Sequence, residues 1–211
     1  MRTFTAAIAL SSGVALAGNI PTPFTETFDL GGENWRQGDS SDVDWNSGVA
    51  STTVDLNTAG PFGLTLFRAQ DGFDSSNDAF VGNYIAGGID TLSFDIRHDA
   101  GVDLGFSVRF ATSANSPAFV LFAPQSVVSG EWTTLTFAID PNSPFYSPAG
   151  GTYEAVAPQV GNLQIFAARP DGLTTPLVST FEIDNVAITP TPASAALLGL
   201  GGVVAARRRR A

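Results

Sequence analysis

The sequence predicts an all-β fold, an antiparallel β-sandwich, for the central part of the chain. Short segments between residues 24 and 188 alternate apolar with polar residues, as strands with one buried face do. Gly, Pro, Asn and Asp separate these segments, and no segment has a long helical spacing of apolar residues. We therefore expect one sandwich domain over residues 18–189, without internal repeats or linkers.

The individual strands follow from the alternating residues. Ala118 to Ala123 is a continuous apolar run, so we expect that strand to be covered on both faces. Turn-forming residues recur at 57–63, 86–88 and 147–151, at intervals suited to hairpins. The alternating apolar residues are Leu92, Phe94 and Ile96; Leu104, Phe106, Val108 and Phe110; Leu135, Phe137 and Ile139; and Leu163, Ile165 and Ala167.

Composition indicates a folded, acidic domain. The 211 residues are 44% hydrophobic and only 14% charged, which argues against disorder. The stretch from Glu26 to Asp184 holds all 20 acidic residues against five arginines, a formal charge of −15. Such a surface repels phosphate backbones, so nucleic acid is a poor candidate partner. The chain has no cysteine, which excludes disulfides and zinc–thiolate sites and leaves packing or a hard metal such as calcium to stabilise the domain.

Residues 1–17 have the pattern of a signal peptide. Arg2 precedes an apolar run, and the small-residue exit Ala15-Leu16-Ala17 suits cleavage after Ala17. The alternative is a short N-terminal helix that is retained. We expect export to the cell envelope, the cell surface or the extracellular matrix.

Residues 190–211 form a tail of three parts: Pro190-Thr191-Pro192-Ala193-Ser194, a short apolar helix, and the cluster Arg207, Arg208, Arg209 and Arg210. Fourteen helical residues span about 21 Å, short of the roughly 30 Å core of a bilayer. The arginines would stay on the cytoplasmic side and hold the domain outside. The tail thus predicts contact with the membrane that is at least transient.

This three-part tail resembles the PEP-CTERM sorting signal, although Thr191 stands where the usual pattern has Glu. The resemblance implies an exosortase-type membrane enzyme as a partner, which recognises and cleaves such tails. The alternative is a plain C-terminal tail anchor.

The central domain resembles the jelly rolls of carbohydrate-binding modules and lectin-like bacterial surface proteins. The features that carry the resemblance are Gly130-Glu131-Trp132-Thr133-Thr134 before an alternating strand, and a last strand with Asp184-Asn185-Val186. The resemblance implies binding or organisation of extracellular polysaccharide without catalysis. A purely structural envelope or biofilm component is the alternative, and a glycoside hydrolase is the third.

The last strand predicts a bulge and, with it, a metal site. Phe181 and Ile183 have one parity and Val186 and Ile188 the other, so the pattern slips by one residue near Asp184. Related jelly rolls hold structural calcium by carboxylates of the first and last strands. The resemblance therefore implies a calcium site of Glu26 or Asp29 with Asp184. The alternative is a set of solvent-facing acids.

No catalytic site is predicted. Glu182 and Asp184 resemble the first two acids of the laminarinase motif E-x-D-x-x-E, but Ala187 stands in place of the third. His98 is the single histidine and no G-x-S-x-G elbow accompanies it, so we expect a lone surface histidine and no catalytic triad. For sugar binding we expect one of three aromatic residues, Trp35, Trp45 or Tyr84, to be exposed, the alternative being core positions.

Overall fold

The computed structural model describes residues 19–59, 63–172 and 175–190 and confirms the antiparallel β-sandwich. Two single-turn helices, α1 (Tyr84–Gly87) and α2 (Tyr153–Val156), lie between strands. The described strands are β1 (Phe24–Glu26), β2 (Arg36–Gln37), β3 (Asp44–Asn46), β4 (Val49–Asp55), β5 (Leu64–Gln70), β6 (Thr91–His98), β7 (Phe106–Ala111), β8 (Ala118–Phe122), β9 (Thr133–Ala138), β10 (Tyr146–Ala149), β11 (Asn162–Ala167) and β12 (Val178–Thr189).

The strands form two six-stranded antiparallel sheets. Sheet 1 has the order β3-β4-β12-β6-β9, with β1 beside the end of β12. Sheet 2 has the order β10-β8-β7-β11-β5-β2. The central strands β4-β12-β6-β9 and β8-β7-β11-β5 reproduce the strand order of a jelly roll. The fold class that the alternating pattern predicts is therefore correct.

The long strand β12 bends at the predicted bulge. The pairing of β12 with β6 shifts register between Asp184 and Ala187, and Asn185 has a φ of 51°. Two apolar residues before the shift, Phe181 and Ile183, and two after it, Val186 and Ile188, are all fully buried. The extra residue thus lets both halves of the strand point their apolar side chains into the same core.

The core lies between the sheets and is rich in aromatic rings. Phe94 of sheet 1 stacks on Phe137 at a centroid distance of 5.5 Å, and Phe110 of sheet 2 stacks on Phe119 at 5.1 Å. The predicted alternating residues on β6, β7, β9 and β11 are all buried. Burial of each such side chain contributes about 1.5–3 kcal/mol, which offsets the missing disulfides.

The predicted helices at both ends, over residues 1–17 and within residues 190–211, lie outside the described residues apart from Pro190. Within the described ranges, no helix is long and apolar enough to span a bilayer.

Candidate functional site

Two of the three aromatic residues predicted to meet a ligand are core residues. Trp35 is 1% and Tyr84 0% exposed. The indole of Trp35 packs edge-on against Phe28 and Phe80, and the ring of Tyr84 packs edge-on against Phe110. Core positions, the alternative to ligand contact, therefore hold for Trp35 and Tyr84, and neither ring is available to a sugar at the surface.

Burial costs these two rings little because each polar group has a partner inside the core. Trp35 Nε1 donates to Ser76 Oγ at 2.9 Å, and Tyr84 Oη donates to the Phe80 carbonyl at 2.8 Å. Burial also raises the pKa of Tyr84 far above its usual range.

Trp45 is exposed, as the sequence predicts for one of the three. It lies on edge strand β3 with 46% of its surface exposed, and its Nε1 donates to the Phe28 carbonyl at 2.5 Å. A second exposed indole, Trp132, carries the guanidinium of Arg97 at 4.9 Å from its ring centroid. Both indoles belong to the sheet 1 side of the molecule.

The three acids predicted to bind calcium lie near one another, but their oxygens already accept hydrogen bonds. Buried Glu26 accepts from the Phe28 amide at 2.9 Å and from Ser76 Oγ at 2.6 Å. Asp29 accepts from Thr27 Oγ1, and Asp184 from the Asn185 amide. Among the described residues no group of three acids or histidines converges as metal ligands do. The calcium site therefore stays a prediction.

Asp184 lies in a negative environment on the outer face of sheet 1. It pairs across the sheet with Asp95, and Asn185 Nδ2 donates to both carboxylates, at 2.9 Å to Asp95 and 3.2 Å to Asp184. Burial, followed by the charges of Asp95, Asp29 and Glu26, raises the pKa of Asp184.

The sites considered for hydrolysis are engaged in structural contacts. Glu182 Oε2 accepts from Arg97 Nε at 2.6 Å, an ion pair that raises the pKa of Arg97. Glu182, Arg97 and Asp99 line one depression of about 350 Å³. Asp99 accepts hydrogen bonds from Ser179 Oγ and from the Thr180 amide. His98 is buried and contacts the Val127 carbonyl. The surface position predicted for His98 is wrong, because its ring packs against Phe106 and Phe181.

A polar groove of about 680 Å³ crosses the outer face of sheet 2. Its floor is a cross-strand row, because Arg109 of β7 pairs with Gln164 of β11, and Gln164 pairs with Arg68 of β5. Residues directly opposite one another project to the same face of a sheet. We call this feature the arginine groove. Its lining is Gly38, Thr65, Arg68, Arg109, Asn115, Pro148, Ala149, Gly150, Gln164 and Phe166.

Hydrogen bonds hold both arginines of the groove in place. Arg109 Nη1 donates to Gln164 Oε1 at 2.7 Å and to Asn115 Oδ1 at 2.6 Å. Arg68 donates to Ser40 Oγ and to Gln70 Oε1, each at 2.8 Å. Gln164, at the centre of the row, is only 5% exposed. The groove floor is therefore pre-ordered by its own contacts.

The partners of Arg68 and Arg109 are all neutral. Neither guanidinium forms an ion pair with a described residue, whereas Arg36, next in the row, pairs with Asp42. Burial lowers the pKa of Arg68, and burial together with the charge of Arg68 lowers the pKa of Arg109. Both groups stay protonated at neutral pH, so the groove holds two partly desolvated positive charges that repel each other.

Sequence reasoning missed Arg68, Arg109 and Gln164 because they lie on three strands far apart in the chain. Each occupies a polar position within an otherwise apolar strand, in LTLFRAQ, FSVRFA and NLQIFA. A single arginine in a mostly apolar strand was the available signal. Charged residues are uncommon at such positions, so each one marks a candidate binding position.

Of the predicted sorting residues, Pro190 closes the described range, while Pro192 and Arg207, Arg208, Arg209 and Arg210 lie outside it. Their role stays a prediction.

No protein-family model matches the chain, and a comparison with curated proteins found no match. Among solved structures, the chain is similar to the Clostridium thermocellum endo-1,4-β-D-xylanase 10B CBM22-1–GH10 modules complexed with xylohexaose, with 16% identity, a TM-score of 0.40, and coverage of 81% of this chain and 29% of that chain. It is also similar to a native glycosidic hydrolase, with 15% identity, a TM-score of 0.43, and coverage of 82% and 97%. A third neighbour is the L4b domain of human laminin alpha-2, with 10% identity, a TM-score of 0.39, and coverage of 65% and 96%. These likenesses are distant, and they say nothing of this chain's ligand.

Proposed function

We propose that the domain is a non-catalytic polysaccharide-binding module of an exported, tail-sorted bacterial surface or matrix protein. The observation that carries the proposal is the arginine groove. It is an open channel on a rigid sheet, and it gathers fixed hydrogen-bonding groups and one aromatic ring at its floor. The sorting part of the proposal is supported by the sequence of residues 190–211.

The groove has the chemistry that sugars require. Sugar hydroxyls both donate and accept hydrogen bonds, and the groove offers guanidinium donors together with the amides of Gln164 and Asn115. Phe166 lies in the same lining with 9% of its surface exposed, which adds only a small apolar contact for the C–H groups of a sugar ring. Arg68, Arg109 and Gln164 stand on strands β5, β7 and β11, whereas Asn115 lies in the loop after β7 and is held by Arg109. Little conformational freedom is therefore lost when a sugar chain binds.

The groove lining favours binding of a polysaccharide without its hydrolysis. Hydrolysis of a glycosidic bond needs two carboxyl groups placed on either side of that bond. No Asp or Glu is among the residues that line the arginine groove. We therefore expect the protein to leave laminarin, xylan, cellulose and agarose intact over long incubation. Release of reducing sugar that disappears in Glu182→Gln would overturn this part of the proposal.

Affinity electrophoresis and a glycan array on the full chain test the proposal. We expect retardation by at least one polysaccharide and a loss of at least tenfold in affinity for Gln164→Ala, which removes the centre of the groove floor. Trp45→Ala and Trp132→Ala are controls on the sheet 1 side and should bind as the wild type does. Each variant is first checked for an unchanged melting profile. No binding to any polysaccharide, or loss of binding only in the tryptophan variants, would contradict the proposal.

A further inference from the structure

Positive charge is scarce in the central domain and is concentrated in one place. Residues 18–190 hold 20 acids and five arginines. Three of the five arginines, Arg36, Arg68 and Arg109, lie in the cross-strand row that crosses sheet 2. The row therefore forms a local positive site on a protein whose overall charge is strongly negative.

Two of these charges have no counterion within the described part of the chain. Asp42 neutralises Arg36, whereas the hydrogen bonds of Arg68 and Arg109 go to amides, a hydroxyl and a backbone carbonyl. The guanidinium of Arg68 also lies 5.6 Å from the ring centroid of Phe73, a contact that carries no counter-charge. The Nε–H of Arg68 is buried and has no hydrogen-bond partner among the described residues. Leaving a buried donor unpaired and holding two cations together both cost free energy. A negative group of a ligand near the two guanidiniums would offset the repulsion between them, although the buried Nε–H of Arg68 itself stays out of its reach.

We propose that the arginine groove selects polysaccharides that carry negative groups, such as uronate carboxylates or sulfate esters, and that Arg68 and Arg109 bind those groups. This inference rests on the proposed function and names its ligand class. The two arginines stand on strands separated by β11, so their backbones are about 10 Å apart. Both side chains line the same groove, so we expect one anionic group, or those of neighbouring sugar units, to contact both guanidiniums.

The surroundings of the groove favour a polysaccharide over a polyphosphate. Nucleic acid carries one charge per 1.7 Å of duplex and would meet the acidic remainder of the surface along its whole length. A uronate polymer carries its charges further apart and can present a single group to the groove.

Binding of the full chain to polygalacturonate and to its fully methyl-esterified form tests the inference. The two polymers differ in the charge of the carboxyl group. Binding is measured both with calcium and with EDTA, at a temperature well below the Tm in EDTA, so that bridging of carboxylates by calcium is distinguished from direct binding. Dextran sulfate and dextran form a second pair, which shows whether sulfate esters are bound as well as carboxylates. Duplex DNA is tested in the same assay, to show whether the groove binds any polyanion. We expect at least tenfold tighter binding of the charged member of one pair, and no binding of DNA.

The variants Arg68→Gln and Arg109→Gln should each lose at least tenfold in affinity for the charged polymer. Arg97→Gln removes the same charge from sheet 1 and should bind as the wild type does. Arg68→Lys keeps the charge without the fork and should fall between wild type and Arg68→Gln, which guards against misfolding of the glutamine variant. Equal binding of charged and neutral polymers, an equal effect of Arg97→Gln, or preference for DNA would overturn the inference. If the protein binds neutral polymers and only Gln164→Ala loses that binding, the proposed function stands and the preference for negative groups is wrong. If the protein binds no polymer at all, both the proposed function and this inference are wrong.

Discussion

Trp35 Nε1 donates a 2.9 Å hydrogen bond to the hydroxyl of Ser76, 41 residues further along the chain. Ser76 Oγ in turn donates to Glu26 Oε2 at 2.6 Å, and Glu26 Oε1 accepts from the Phe28 amide. All three side chains are buried. This network fixes the first strand to the turn Ser75–Asp78, and it explains why Trp35 belongs to the core.

Ser76→Ala should destabilise the domain by about 2–4 kcal/mol, since it leaves an indole N–H and a carboxylate oxygen buried without this partner. Thermal unfolding should show a decrease of about 4–16 °C in Tm for a domain of this size.

As a control, Ser76→Ala is also made in a protein that carries Trp35→Phe, which removes the indole N–H. The cost of Ser76→Ala should be smaller there than in the wild type, because one of the two orphaned groups is already gone. An equal cost in both backgrounds would contradict the coupling between Trp35 and Ser76.

A second prediction concerns β8, where Phe119 and Phe122 differ in burial. Phe119 is fully buried and contacts Phe110, Tyr146 and Tyr153, while Phe122 is 41% exposed. Phe119→Ala should cost about 3–5 kcal/mol through lost transfer energy and the cavity that remains. Phe122→Ala should cost much less in the same urea titration. Comparable costs would contradict the assignment of the two faces of β8.

The strands of the sandwich were predictable because burial imposes a period of two on a strand with one buried face. Leu92, Phe94 and Ile96 are buried as that period requires, and the parity slip near Asp184 predicted the bulge. The expectation for Ala118–Ala123 holds for its first four residues, whereas Phe122 at the strand end is exposed. The alternation of apolar residues is sufficient in these cases, because burial of one face acts on each strand separately.

The candidate site was not predictable in the same way. Whether a tryptophan is buried depends on partners that are remote in sequence, as Ser76 is for Trp35. The arginine groove exists only because the jelly-roll topology places Arg68, Arg109 and Gln164 in one row. Strand order is a property of the whole domain, so no segment carries it.

Calcium binding near Asp184 gives the third prediction. We expect EDTA to lower the Tm of the native protein and added calcium to restore it, since a ligand bound only by the folded state stabilises it. Asp184→Asn should abolish the effect of calcium. In metal-free buffer Asp95→Asn should instead raise the Tm, because it removes a like charge directly across the sheet from Asp184. A Tm that does not change with EDTA would contradict the calcium site.

Processing of the tail is the fourth prediction. The apolar run of residues 195–206 is short for a permanent span, and the tail resembles an exosortase substrate, so we expect its removal in the native host. Mass spectrometry of protein purified from envelope or matrix fractions measures this directly. Native protein that still ends in Arg207–Arg210 would contradict the prediction, and replacement of Pro190 and Pro192 by Ala tests the recognition motif.

The central claim is that sheet 2 carries the binding site. Its most direct measurement is the mapping of backbone amide chemical shifts by NMR during titration with an oligosaccharide of the polysaccharide that binds most tightly. Perturbed amides should cluster on β5, β7 and β11 around Arg68, Gln164 and Arg109. Perturbations that cluster instead around Trp45 and Trp132 on the sheet 1 side would contradict the account.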